Sequence, residues 1–243
     1  MSDKKIYLSV IMPAYNEENH IKDNLLKTSE IISKFVKKYE IIAINDGSAD
    51  NTKLKMEEAS VEDSRIKYIS YEDNKGKGYA ITSGVNQAKG EYIAFLDSDL
   101  ELNPSMLRYF LKALQATDAD IAIGSKMHKK SKLDYPLSRK ILSFGYFIIL
   151  KLLFNLNIKD TQTGIKLFKG SVIKPICHSL TTTGFAFDIE ILATAAKKGY
   201  KIIEMPIELK FLRDRSEKSR FSPKIIFKIF KDTLKIKKIL RNK

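Results

Sequence analysis

The feature that most constrains this chain is an alternation running through its first 125 residues. Short apolar runs rich in β-branched residues, at 7–12, 40–44, 67–70, 92–96 and 121–124, are separated by segments with helical apolar spacing, at 17–36, 50–59, 78–88 and 104–116. In the first helical segment Ile21, Leu25, Ile32 and Val36 fall on one side. Repetition of strand and helix in this way builds an α/β fold whose central sheet is mostly parallel and covered by helices on both faces. Parallel strands end at one edge, and ligands then bind beyond the carboxyl ends.

The polar segments fall where that geometry puts an edge. PAYNEE follows the first strand, NDGSADNT the second, DNKGKGYA the third and DSD the fourth. Loops are polar in general, but four clusters combining carboxylates, Gly and Asn point to one binding rim. Asp46 and Ser48 suit hydrogen bonds to a base or ribose, although Asp-Gly is also a common turn pair. In DNKGKGYA two glycines and two lysines precede a helix, whose first amides favour phosphate.

After Gly124 the alternation weakens. The segment 141–154 is apolar and aromatic, but it contains Ser143, Gly145 and Lys151 and is shorter than the roughly 20 residues a membrane span needs. It reads as a core or interfacial helix. With 44% hydrophobic and 30% charged residues the chain can bury a core and is not a disordered composition. Its single cysteine, Cys177, allows no internal disulfide and fits a reducing compartment. His20, His128 and His178 show no ligand spacing.

The stretch YIAFLDSDLEL closes a buried strand with Asp97, Asp99 and Glu101 at alternate positions. If extended geometry persists, the three share a face. Crowded carboxylates repel unless a cation joins them. Mg²⁺ is usually held by one or two carboxylates plus substrate phosphates, so the pattern reads as an open metal site. The alternative is a helix start at Asn103-Pro104 that the acids cap.

With these clusters in this order, the sequence resembles the family 2 inverting glycosyltransferases of A-type fold, and within them the polyprenyl-phosphate glycosyltransferases. The likeness runs over 8–220 and is carried by VIMPAYNEE, INDGSADNT, NKGKGYA, FLDSD, DTQTGIKLF, GFAFDIEIL and RDRSEKSR. It implies that Pro13, Tyr15, Glu17 and Asp46 bind the nucleotide-sugar donor, with Ile44, Ser48, Lys77 and Ser98 beside them. It also implies that Asp97 and Asp99, joined by Glu101, hold Mg²⁺ or Mn²⁺ on the diphosphate. Glu101 stands where mannosyltransferases commonly carry Gln. Lys126 stands where the family carries Arg, keeping the charge but not the bidentate fork. Arg215 and Arg220 are expected to close over the diphosphate. DTQTGIKLF and GFAFDIEIL are most similar to the dolichyl-phosphate β-glucosyltransferase branch, which implies UDP-glucose. A GDP-mannose-dependent mannosyltransferase and a transferase acting on a saccharide hydroxyl are the alternatives.

The reaction implied by the resemblance is transfer of a hexose to a polyprenyl phosphate. The nucleophile is a phosphate oxygen, ionised near neutral pH, so a strong base is less needed than for a hydroxyl acceptor. Arg139 and Ser143, four apart on one helical face, and Lys126 are the acceptor-phosphate candidates. Asp160, which opens DTQTG, orients the acceptor, assists as a base or caps a turn.

The net charge is +14, and residues 210–243 carry 13 Lys or Arg against three acids, so +10 of it lies there. Lys224, Lys228, Lys231, Lys235 and Lys238 form one helical stripe, with Ile and Phe on other faces. The expectation is a catalytic domain over 1–221 and a basic amphipathic helix over 222–243 at an anionic membrane surface. A helix packed on the domain with its lysines in water is the alternative. No secretory signal is read at the start and no spanning segment at the end. The expected place is the cytoplasmic face of a membrane, held peripherally or by an anchoring partner protein. No stacking motif or known module supports nucleic-acid binding.

Overall fold

Strand β2 (Tyr39–Asp46) is buried at every position, the pattern of a strand covered on both faces. The computed structural model describes residues 5–133, 158–184, 186–209 and 223–242, with positions 147, 148, 150, 151, 153, 154 and 156. Around β2 stand β1 (Leu8–Ala14), β3 (Ile66–Tyr71), β4 (Tyr92–Leu96) and β5 (Ile121–Ser125), followed by the two-residue β6 (Lys132–Leu133), then β7 (Ile165–Lys169), β8 (Ile202–Pro206) and the two-residue β9 (Glu208–Leu209). Seven form one sheet in the order β3-β2-β1-β4-β7-β5-β8, and β6 pairs with β9. Neighbours in the large sheet run parallel except β7, which is antiparallel to both β4 and β5.

Side chains alternate across the sheet and build a core on each side. Val10, Met12, Ile41 and Ala43 meet α1 (Ile21–Ser33), α2 (Thr52–Glu62) and α4 (Met106–Thr117), through Leu25, Met56 and Phe110 among others. Ile11, Ile42, Ile44 and Phe168 meet α3 (Lys77–Gln87), α5 (Gly170–His178) and α6 (Phe187–Lys197). Each fully buried Ile, Leu or Phe here is worth about 2 kcal/mol in transfer from water. The expected alternation and two-sided cover are both present.

Three features depart from expectation. β7 enters between β4 and β5 although its segment gives no clear periodicity. Extended geometry stops at Leu96: Ser98 and Asp99 form a turn, and Leu100 has φ +54°. The third concerns α7 (Pro223–Asn242). Its Thr233 and Ile236 are 0% and 1% exposed, and Ile236 packs with Leu150, Ala186 and Ile189 while Leu240 lies against them. On this side Thr233 and Ile236 are covered by the protein, while Leu234 is exposed and Lys231, Lys235 and Lys238 face outward. Leu150, inside the segment expected to be a core or interfacial helix, is buried in that contact. Among the described residues no helix is long and apolar enough to cross a membrane.

Candidate active site

Beyond the carboxyl ends of β1 and β2 the two loops are stitched together. Asn16 N donates to Ser48 Oγ at 2.9 Å and Ala49 N to Asn16 Oδ1 at 3.0 Å. Glu17 N reaches Thr52 Oγ1 at 2.8 Å, and Glu18 N reaches Asp50 Oδ2 at 3.1 Å. Asp46 carries the rim onward: its Oδ1 accepts from Tyr71 Oη at 2.7 Å and Lys75 N at 3.0 Å, and its Oδ2 accepts from Gly76 N at 3.0 Å. The turn after β4 joins through Asn24 Nδ2, which donates to Ser98 O at 2.8 Å. The four polar clusters therefore form one edge. Tyr15 is 47% exposed on it, an open aromatic face.

This geometry revises two expectations. Asp46 holds the 74–76 loop, in addition to any part in binding a nucleotide. The first amides of α3 are largely committed: Lys75 N and Gly76 N bind Asp46, while Gly78 N and Tyr79 N point at Thr183 O, at 2.7 and 3.3 Å. The phosphate cradle expected of DNKGKGYA is not left open. What the segment supplies is the Lys77 side chain, whose Nζ lies 2.6 Å from Asp97 Oδ1. Burial acts to lower the Lys77 pKa, but Asp97, Asp188 and Asp99 outweigh it and leave the pKa raised.

Asp97 sits tightly against β7's entry. Asp97 N donates to Gly164 O at 3.2 Å, and a Cβ on Gly164 would overlap Asp97 Oδ2. The recess beneath is lined by Pro13, Lys77, Asp97, Thr163, Lys166 and Asp188, with apolar neighbours. Lys166 Nζ stands 2.8 Å from Asp188 Oδ1 and donates to Thr163 O at 2.6 Å. Burial raises the Asp188 pKa, with Lys166 and Lys77 pulling the other way.

A second recess, open to solvent, shares the 160–164 loop with the first. Its polar lining is Lys126, Lys159, Asp160, Thr161 and Gln162, and its apolar side is Met127, Phe147 and Leu150. Asp160 Oδ2 accepts from Lys126 Nζ at 2.7 Å, Lys126 N at 2.8 Å and Thr163 Oγ1 at 2.8 Å. Burial alone would raise the Asp160 pKa; Lys126 and these hydrogen bonds prevail and lower it. A carboxylate so engaged orients Lys126 and is a weak proton acceptor. Thr161 Oγ1 is buried with no hydrogen-bond partner among the described residues.

Of the expected site residues, Pro13, Tyr15, Glu17, Asp46, Ser48, Lys77, Asp97, Ser98 and Asp99 lie on the rim, and Lys126 and Asp160 line the second recess. Ile44 does not belong: its side chain is fully buried in the core against α3, and its strand is paired on both sides. Arg139, Ser143, Arg215 and Arg220 lie outside the described residues. Lys159, Thr161, Thr163, Gly164, Lys166 and Asp188 also line the two recesses, and none of them is among the residues expected there. The motifs DTQTGIKLF and GFAFDIEIL contain all but Lys159, and that membership was the available signal. Burial pushes the Cys177 thiol up to about 12, so it is inert.

The metal expectation is narrowed. Because the strand ends at Leu96, Asp97, Asp99 and Glu101 do not continue as one extended face. Among the described residues no group of three or more metal-ligating side chains converges. Asp99 Oδ1 instead accepts from Glu101 N at 3.2 Å. Two hard carboxylates on one turn still suit a small divalent ion whose other ligands come from a diphosphate, and the missing Cβ of Gly164 makes the room that Asp97 uses.

The fold matches known transferases. Glucosyl-3-phosphoglycerate synthase from Mycobacterium tuberculosis, in complex with Mn²⁺ and uridine-diphosphate-glucose, superposes with a TM-score of 0.66 at 17% identity, over 94% of this chain and 77% of that one. The architecture is thus the A-type glycosyltransferase fold. The sequence profile of Glycosyl transferase family 2 matches residues 9–176. The chain belongs to that family and is a glycosyltransferase. Two dolichyl-phosphate beta-glucosyltransferases are similar to it: that of Saccharomyces cerevisiae, 33% identical over 227 residues (84% of this chain, 67% of that protein), and that of Dictyostelium discoideum, 33% identical over 251 residues (96% and 74%).

Proposed function

We propose that this protein transfers glucose from UDP-glucose to a polyprenyl phosphate of the dolichyl type, with inversion at the anomeric carbon. The observation that carries the reading is the second recess. It joins the ammonium groups of Lys126 and Lys159 and the Thr161 hydroxyl, which has no hydrogen-bond partner among the described residues, to an apolar side made by Met127, Phe147 and Leu150. A phosphate esterified to a hydrocarbon chain has those two chemistries in that order. The names of the two relatives support the same acceptor and sugar.

In this reading Tyr15, Glu17, Asp46, Ser48 and Ser98 receive the nucleotide along the rim, and Asp97 and Asp99 hold Mg²⁺ or Mn²⁺ with the diphosphate. The ion, when bound, supplies Lewis-acid stabilisation of the charge on the departing diphosphate. Lys126, fixed by Asp160, and Lys159 draw the acceptor phosphate toward the donor against the repulsion of two anions. A phosphate oxygen forms the new bond to the anomeric carbon as the bond to the diphosphate oxygen breaks, and UDP leaves. The acceptor is already an anion, so Asp160 acts by orienting Lys126. The exposed lysines of α7 favour an anionic membrane where such a lipid resides, each worth on the order of 1 kcal/mol there.

The direct test is product analysis with radiolabelled UDP-glucose and GDP-mannose against dolichyl phosphate, glucose and phosphoglycerate as acceptors, with and without a chelator. The expected product is dolichyl-phosphate glucose, lost on chelation. Label appearing only on a hydroxyl acceptor would refute the assignment.

A further inference from the structure

Lys77 occupies the carboxylate that a divalent ion would use. Its Nζ is 2.6 Å from Asp97 Oδ1, and the backbone that carries each partner is held in place. Lys77 opens α3, whose start is pinned by Asp46 at Lys75 N and Gly76 N and by Thr183 O at Gly78 N. A Cβ on Gly78 would stand 2.8 Å from Thr182 O and 2.9 Å from Thr183 O, so backbone crowds this turn from the other side. Asp97 is backed by Gly164, whose missing Cβ is the space its Oδ2 fills. The pair is 26% and 37% exposed at its side chains, open enough for an ion to reach.

Charge in the recess is nearly balanced without a metal. Lys77 and Lys166 stand against Asp97, Asp99 and Asp188, and Asp188 is already paired with Lys166 at 2.8 Å. A dication arriving alone would face the Lys77 ammonium across one carboxylate oxygen, and the Asp188 carboxylate is held by Lys166. A dication arriving with a diphosphate brings the anion that the ammonium lacks.

We propose that Lys77 is the resident counter-cation of Asp97, displaced when a divalent ion enters and received by the donor's diphosphate, so that metal and nucleotide bind as a unit. The inference rests on the metal reading given above for Asp97 and Asp99. Lys77 is a positioning and gating residue, and its signature is thermodynamic coupling between two ligands, which must be reciprocal.

Calorimetric titration of MnCl₂ into the protein, with and without UDP, tests this in the wild type and in Lys77→Met, Lys77→Gln, Lys77→Arg and Asp97→Asn. Two neutral replacements keep the test from hanging on one variant folding, and thermal unfolding of each verifies the fold. Removing the ammonium should tighten binding of Mn²⁺ alone by at least about fivefold, the lower end of ordinary coupling factors, and weaken the Mn²⁺–UDP coupling by a similar factor. Lys77→Arg should behave as the wild type. Equal or weaker binding of Mn²⁺ alone in both neutral variants, with Asp97→Asn still abolishing it, overturns the role of Lys77 and leaves the metal site standing. Mn²⁺ binding that survives Asp97→Asn unchanged removes the metal reading and this inference with it.

Discussion

Lys126 and Asp160 are joined twice: Asp160 Oδ2 accepts the Lys126 ammonium at 2.7 Å and the Lys126 backbone amide at 2.8 Å. The side chains are 18% and 8% exposed, so the pair is mostly out of water. Breaking one partner of such a pair leaves a buried charge and costs about 3 kcal/mol. Asp160→Asn should lower the unfolding free energy by that order. The effect has a pH sign. Burial raises the Asp160 pKa, but Lys126 and the hydrogen bonds bring it below the usual range. Its stabilisation is complete above the ordinary carboxylate value near 4 and is lost as pH falls through the lower folded value. Thermal unfolding of both proteins at pH 7, 4 and 3 should show the difference shrinking only in the acid.

Gly164→Ala should damage the site while sparing the fold. The added methyl must displace Asp97, and misplacement of a reacting constellation by about 1 Å can cost on the order of 100-fold in rate. The expected result is a fall of that size in kcat/KM for the donor with an unfolding midpoint within a few degrees of wild type. Full activity would show that Asp97 does not act from this position.

Asp46→Ala removes the acceptor for Tyr71 Oη, Lys75 N and Gly76 N together. These donors are only partly buried, so the loss should sit at about 1 kcal/mol, the lower end of the cost of an unmet hydrogen bond. Amide exchange at Lys75 and Gly76 should accelerate, and affinity for UDP should fall, because the loop that carries Lys77 is loosened. Unchanged exchange would mean that Asp46 is not what holds it.

The two faces of α7 separate stability from membrane attachment. Ile236→Ala should destabilise by about 2–4 kcal/mol, as a buried isoleucine in a packed contact does. Replacing Lys231, Lys235 and Lys238 by Glu should leave the unfolding midpoint nearly unchanged and abolish flotation with anionic vesicles. Deleting 222–243 is the poorer test, because it strips the cover from Leu150 and Ile189. Flotation unaffected by the three Glu substitutions would reject the lysine face as the anchor.

The first four strands were legible because their signal is local: Ile41, Ile42 and Ile44 sit in one apolar run, and Leu25 and Ile32 recur at helical spacing. The rim was legible for the same reason, since parallel strands place PAYNEE, NDGSADNT, DNKGKGYA and DSD at one edge. The shared face expected of Asp97, Asp99 and Glu101 from period-two spacing carried past Leu96 is absent. The turn at Ser98 and the positive φ of Leu100 decide otherwise. Ile44 misled because its neighbour Asp46 is on the rim while its own side chain points into the core.

The sequence alone determined the alternating α/β architecture, the shared edge of polar loops and the family, because hydrophobic period and motif order are written along the chain. Only the tertiary structure decided that β7 slips in antiparallel between β4 and β5, bringing Gly164, Thr163 and Lys166 beside Asp97, and that Lys77 and Asp188 join them. Those pairings connect residues tens of positions apart, and no local pattern encodes a contact whose energy comes from burying charges together in one recess.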